Sequence, residues 1–516
     1  MLRSILAVIT FALLLWTTFA QEQLSEQERR GRRIYLRGES ASGHALTATL
    51  GDDSVELPAS TLPCASCHGA DGKGNPEGGV IPSELTWAAL TKPYGHAHPA
   101  GRAHPAFTEQ SLERAIVEGI DPAGHKLSPV MPKYQMARAD MKDLLAYLRR
   151  IADDRDPGVT ETTITVGTLL PTAGPMTEIG QAMREVLTAY FAELNQQGGI
   201  YHRRVELKVA ATEQAKPLLA TDSIFALVGA MTAGAEQEVA AVVSREETPL
   251  VAPFTLYPQQ SSPPDRHTFY LLAGLPEQVR ALATFAAQQI NPAQTKAALI
   301  VLEDARTSEL AAAIEGQCQQ IGWKTVKRYA YPRGSWQAAA MVKQLQQDGM
   351  ELVFFLGASG DETSLLTEAA KLNYAPPLYL PGSLAARATL NALPGLRQKI
   401  YLAYPTIPTD QTPTALTEFR SFLARHNLAP RHTAAQLSAY VAAKLFTEGL
   451  KRAGRDLTRE KFITALEGLY AFDTGLTPPL TFGPNRRLGA FGAHIVTFDR
   501  TKKAFVPAGN WVSLTP

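Results

Sequence analysis

The sequence predicts a multidomain protein, an all-α N-terminal domain over residues 21–155 followed by a larger α/β domain of two lobes over residues 156–516. Three observations predict it. "CASCHGADGKG", Cys64 to Gly74, lies between two helix-patterned segments, "EQERRGRRIYLRG" and "RADMKDLLAYLRRI". "IADDRDPGVTETT" is a polar break holding Pro157 and Gly158, the composition of a domain boundary. Beyond it, short apolar strands alternate with amphipathic helices, the pattern of parallel sheets covered by helices on both faces.

At 516 residues the chain exceeds one core, since domains run to roughly 100–200 residues. Hydrophobic residues make up 45% and charged residues 19%, with a formal net charge of +1, a globular composition without the basic excess that nucleic acid requires. The chain opens with Arg3, the apolar run Ile5–Trp16 and the small-residue end "TTFA". This reads as a signal peptide over residues 1–20, cleaved near Ala20, because the apolar run is too short to span a bilayer and polar residues follow at once. Export to the periplasm is the expected location. Of three cysteines, Cys318 falls in a helix-like run and reads as a small buried hydrophobe.

Cys64-x-x-Cys67-His68 is the attachment pattern of haem c: two thiols add to the vinyl groups and the adjacent histidine binds the iron. Half a zinc site would need a second ligand pair at matching spacing, and a redox CxxC would need a βαβ context; the segment has neither. Gly31 and Tyr35 share one helical face, and Leu144, Tyr147 and Leu148 another. On these residues the segment resembles class I c-type cytochromes, whose first and last helices cross at a small residue packed by an aromatic. Between them, "GHALTATLGDDSVEL" alternates like an inserted hairpin. Met131, followed by Pro132, resembles the Met-Pro of that family and is the expected sixth ligand, a thioether that favours reduced iron. Met136, Met141, His125, His96, His98 and His104 compete for that place.

In the second domain, "TITVGTLLP", "RVELKVAAT", "FALVGAM", "TPLVAP", "KAALIVLED", "KTVKRYAYP", "LVFFLG" and "PLYLPG" read as strands beside helical runs. "VGTLLPTAGPMTEIGQAMREVLTAYFAELNQQGGIYHRRVEL", "LVGAMTAGAEQEVAAVVSREETPLVAPFT" and the stretch from "YPRGSW" to "PLYL" resemble type I periplasmic binding proteins of the Leu/Ile/Val-binding family. The resemblance implies two Rossmann-like lobes joined by three crossovers, with a small ligand in the cleft. Ligands of open α/β sheets lie beyond the strands' carboxyl ends, which makes Thr172, Met231, Thr232, Ala233, Thr255, Leu256, Ser359, Asp361 and Ser383 the candidate cleft residues. Capping is the plainer reading of Thr232, Ser359 and Asp361. Ala233 and Leu256 stand where amino-acid-binding members present hydroxyls, and Ser383 near their usual acid, so the resemblance does not extend to an α-amino acid ligand.

Three functions remain. The leading one is a periplasmic electron-transfer cytochrome with one haem c, coupled to a domain that senses a metabolite or docks a redox partner, such as a dehydrogenase or another cytochrome. The alternative is a receptor serving an ABC permease. A haem enzyme ranks last, because an iron with both axial positions filled leaves no open site for substrate and the cleft shows no catalytic pair. No catalytic residue is expected.

Overall fold

The computed structural model describes residues 24–51, 55–74, 76, 78–98, 101–221, 224–261, 263–392 and 398–515; the expected signal peptide lies outside the described residues. The chain divides between Arg155 and Asp156 into two compact units.

In the first unit, helix Glu26–Arg37 starts on a capping box of Ser25 and Glu28 and ends at Gly38 in the left-handed conformation, a sequence-encoded start and stop. Its buried residues, Gly31, Ile34 and Tyr35, fall at i, i+3 and i+4, the spacing of one helical face. That face crosses helix Arg138–Leu148. A Cβ on Gly31 would stand 1.9 Å from the Asp143 carbonyl oxygen and 2.8 Å from the Tyr147 Cβ, so this crossing is possible only at a glycine. The Tyr35 and Tyr147 rings lie 5.6 Å apart beside it. Helices Cys64–His68, Trp87–Leu90 and Glu109–Glu118 complete the helical frame.

The inserted hairpin forms, Thr47–Leu50 against Val55–Pro58. It also gains a third strand that the sequence did not announce. Lys133–Gln135 pairs antiparallel with Thr47–Thr49, so the insertion ties down the segment that follows Met131.

The second unit holds two sheets. The first runs Leu488–Ala490, Thr268–Leu272, Leu250–Val251, Leu227–Val228, Thr163–Leu169, Arg204–Ala210 across its width, with parallel pairing. The second runs Thr325–Tyr331, Lys296–Leu302, Leu352–Leu356, Leu378–Pro381, Ile400–Tyr404, Gly492–Asp499, Ala504–Pro507. Central strands such as Leu352–Leu356 are buried at every position, because helices cover both faces and leave no solvent side to alternate towards. The chain leaves the first sheet after Leu272, returns to its core as helices Pro413–Arg425, Thr433–Ala453 and Arg459–Glu467, and crosses again between Ala490 and Gly492. These are the three expected crossovers.

The C-terminal end departs from a purely parallel arrangement. Gly492–Asp499 pairs antiparallel with Ile400–Tyr404, Ala504–Pro507 and Val512–Ser513. The connection at residues 500–503 is too short for the crossover helix that a parallel neighbour needs.

Candidate functional site

The haem motif is a single short helix, Cys64–His68. Cys64 lies three residues before Cys67 and four before His68, so thiols and imidazole share one helical side. Cys64 is partly buried and Cys67 exposed. Burial pushes the Cys64 thiol up to about 11. Tyr134 is itself buried and donates its hydroxyl to the Leu62 carbonyl at 2.6 Å. Tyr35 donates to the Gly69 carbonyl at 2.7 Å, which fixes the residue after His68 to the first helix. At Gly74, with φ near 88°, a Cβ would stand 2.6 Å from the Pro82 carbonyl oxygen, so the turn after the motif closes only around glycine.

His68 is buried, and its Nδ1 lies 2.8 Å from the Ser83 carbonyl oxygen. A carbonyl only accepts, so Nδ1 carries the proton and Nε2 keeps its lone pair. Burial lowers the pKa of His68, outweighing the Ser83 contact, and the ring is neutral at neutral pH. A neutral imidazole oriented through its other nitrogen is what an iron ligand requires. Met131 packs partly buried against the core that also takes Cys64 and Ala65. Its N–H reaches the Ser128 carbonyl at 2.9 Å, and the strand braced by the hairpin begins two residues later. Two thiols, a neutral imidazole and a thioether form a donor set that fits haem c.

Of the competing ligands, Met136 is placed like Met131, whereas the others are differently engaged. Met136 packs on the same core, while Met141 is buried inside helix Arg138–Leu148. His125 turns Nδ1 to Asp121 at 3.3 Å. His96, His98 and His104 gather around one another, with ring centroids 5.2–6.0 Å apart.

In the second unit every sequence-predicted cleft residue follows the carboxyl end of a strand. Thr172 follows Thr163–Leu169, Met231–Ala233 follow Leu227–Val228, and Thr255 and Leu256 follow Leu250–Val251. Ser359 and Asp361 follow Leu352–Leu356, and Ser383 follows Leu378–Pro381. Thr172, Ala233, Leu256, Ser359 and Ser383 are exposed, whereas Met231 and Thr232 are buried. The capping reading fails for Thr232, Ser359 and Asp361 alike. Helix Glu236–Arg245 begins at Ala235 without a side-chain cap, and helix Asp361–Lys371 begins at Gly360. Asp361 instead accepts the Tyr331 hydroxyl at 2.6 Å.

Sequence reasoning missed an ion pair between the lobes. Glu236, with its side chain 6% exposed, meets Arg306 across the sheets at 2.9 Å. Its other oxygen accepts from the Gly234 N–H at 3.2 Å and the Thr255 hydroxyl at 3.3 Å. The Arg306 guanidinium also lies 4.3 Å from the Tyr257 ring centroid, a cation–π distance. Both charges sit at switch points, where strand order reverses: Thr163–Leu169 beside Leu227–Val228, and Lys296–Leu302 beside Leu352–Leu356. That is where open α/β sheets hold ligands. The available signal was a charged residue in each of two βα turns, "AGAEQE" and "EDARTS".

Comparison with known proteins agrees with both halves. Residues 163–502 match the family model described as periplasmic binding protein, and residues 59–152 that of cytochrome c. The Leu/Ile/Val-binding protein homolog 3 of Brucella melitensis is 24% identical over 298 residues, covering 56% of this chain and 79% of that protein. A branched-chain amino acid ABC transporter structure from Thermus thermophilus, with bound valine, aligns at TM-score 0.52 and 15% identity, covering 69% of this chain and 97% of that one. A fatty acid ABC transporter substrate-binding protein from Thermomonospora curvata aligns at 0.51 and 17%, covering 69% and 94%. At these identities the structures establish the fold alone. A cytochrome c domain implies covalently bound haem c, and a periplasmic binding unit implies a small-molecule ligand. The chain belongs to the periplasmic binding protein family and carries a cytochrome c domain in its N-terminal part.

Proposed function

We propose that the protein is an exported monohaem cytochrome that transfers electrons, joined to a cleft domain that binds a small metabolite or docks a redox partner in the periplasm. Cys64 and Cys67 would carry the haem covalently, and His68 and Met131 would hold its iron. Haem c supplies a one-electron iron couple. The protein's own residues orient His68 through the Ser83 carbonyl, brace the Met131 segment through the hairpin, and bury the Cys64 side of the motif. The observation that carries this reading is His68, neutral and aimed through its Nδ1–H.

The second reading, a receptor for an ABC permease, is supported by the Leu/Ile/Val-binding relatives. It is weakened for α-amino acids by Ala233 and Leu256 at the strand ends and by a cleft carboxylate, Glu236, already committed to Arg306 and Thr255. The test is a thermal-shift screen of the purified full-length holoprotein against amino acids, amides, short acids and alcohols, and aromatic metabolites. A ligand at 100 times its dissociation constant adds about 2.7 kcal/mol. A hit outside the amino acids, with a shift in haem midpoint potential on saturation, supports redox-linked sensing. An amino acid hit with an unchanged potential supports the transport receptor and sinks the coupled reading.

A further inference from the structure

The histidines at positions 96, 98 and 104 are used by neither half of this reading. They belong to a two-stranded hairpin, His96–Ala97 against Ala103–His104, in which His96 and His104 are cross-strand partners. Side chains two apart on a strand share a face, as do directly paired ones, so the three imidazoles converge on one side. His98 Nε2 lies 3.0 Å from His104 Nε2.

The outer hydrogen bonds fix what those nitrogens carry. His104 Nδ1 lies 2.8 Å from the Pro105 carbonyl oxygen, which only accepts, so the neutral ring holds its proton on Nδ1 and a lone pair on Nε2. Arg102 Nη2 lies 3.1 Å from His98 Nε2; a guanidinium only donates, so this nitrogen is also a lone pair. With both rings neutral, two lone pairs face each other at 3.0 Å, an arrangement relieved by a shared proton or by a metal cation between them. His96 turns Nε2 to the Ala89 carbonyl, leaving its Nδ1 unprotonated in a ring 5.3 Å from that of His104.

We propose that this hairpin binds one divalent transition cation that prefers imidazole, such as copper(II), through Nε2 of His98 and His104. Three further features fit. Metal-ligating histidines donate their other ring N–H to a carbonyl or carboxylate, and His104 does so, as His68 does beside the haem motif. A metal–nitrogen bond of about 2.0–2.1 Å places neighbouring ligands about 2.9 Å apart in a square-planar site and about 3.3 Å apart in a tetrahedral one, and the observed separation is close to the former. Finally, the nearby positive charge is neutralised. Arg102 also donates to the buried Asp121 at 2.8 Å, and it keeps that partner when a cation takes its place on His98. No group of three or more His, Cys, Asp or Glu among the described residues is placed to hold a metal ion, so the two Nε2 atoms are the protein's ligands and water or a further ligand completes the site. Phe107, edge-on to His104 at 4.9 Å, holds that ring in position.

The test is copper(II) titration of the full-length holoprotein, whose motif thiols are consumed by haem attachment, read by calorimetry and electron paramagnetic resonance. One equivalent should bind, with coupling to at least two nitrogens and an unchanged haem spectrum. His98→Ala, at a partly buried position, and His104→Gln should each weaken binding at least about 10-fold, while His125→Ala leaves it unaltered. Equal binding by wild type and His98→Ala would overturn the proposal. So would a loss in His125→Ala matching that in His98→Ala, or a copper signal with one nitrogen ligand. A wild-type haem spectrum in each variant separates loss of the site from loss of the fold.

Discussion

The two units store their chemistry in opposite ways. In the cytochrome unit the reactive groups are contiguous, two thiols and an imidazole on one helix of five residues. In the binding unit the candidate ligand groups come from turns spread between Thr172 and Ser383 and meet only through the fold. Contiguity follows from covalent attachment, since both thiols must reach one porphyrin edge while the histidine reaches its iron. A cleft that takes a non-covalent ligand has no such constraint, and each lobe contributes whatever its strand ends present. A short motif is therefore hard to lose without losing the function, whereas a dispersed cleft can change ligand while keeping its fold.

The comparison can be broken most severely at the helix crossing. Gly31→Leu places a side chain where the Asp143 carbonyl already stands. Destabilisation of the cytochrome unit at or above the upper end of about 1–3 kcal/mol is expected, with early loss of the haem spectrum on heating. Melting of the second unit should stay unchanged, and a wild-type haem melt would contradict the tight crossing.

A smaller effect is expected in the hydrogen bond over the motif. Tyr134→Phe leaves the Leu62 carbonyl without the donor it has at 2.6 Å. A loss of about 1 kcal/mol follows, visible in denaturant unfolding followed at the haem band.

In the binding unit, Glu236→Gln or Arg306→Ala removes an ion pair that is buried at one end and 42% exposed at the other. Solvent screening limits its worth to about 1 kcal/mol or less. The double variant should lose little more than either single one, because both delete the same contact. Additive losses would show that the lobes are held by other contacts of the two residues.

The last prediction concerns acid. Burial alone would raise Asp121, but hydrogen bonds from Arg102 and from the His125 and Ala123 N–H groups overcome it and hold the carboxyl at about 2, below its ordinary 3.8. The depressed group contributes stability above pH 4 that is lost as the pH falls towards 2. Acid unfolding of the haem unit should shift to higher pH in wild type than in an Asp121→Asn variant normalised for stability at neutral pH. Parallel acid profiles would remove Asp121 from the account.

How much was legible depends on how local each feature is. The first helix was readable because Gly31 and Tyr35 mark its buried face, and the structure adds the caps at Ser25, Glu28 and Gly38. The strand at Lys133–Gln135 was not, because its partner, Thr47–Thr49, is remote in sequence and three residues carry no periodicity of their own. The parallel strands stood out as apolar runs. The antiparallel end did not, since alternation of strands and helices stops there and a short turn decides the direction. Glu236 and Arg306 escaped notice because a charge in a βα turn has the same appearance whether it serves a helix terminus or reaches across to the other lobe.

The central claim, an electron-transfer iron with both axial positions filled by protein, is tested most directly by adding carbon monoxide to the reduced full-length holoprotein. With His68 and Met131 both ligating, the spectrum should stay unchanged, and Met131→Ala should bind the gas readily. A wild-type protein that binds carbon monoxide as readily as the variant would contradict the account, because an open iron belongs to ligand or substrate chemistry rather than to electron transfer.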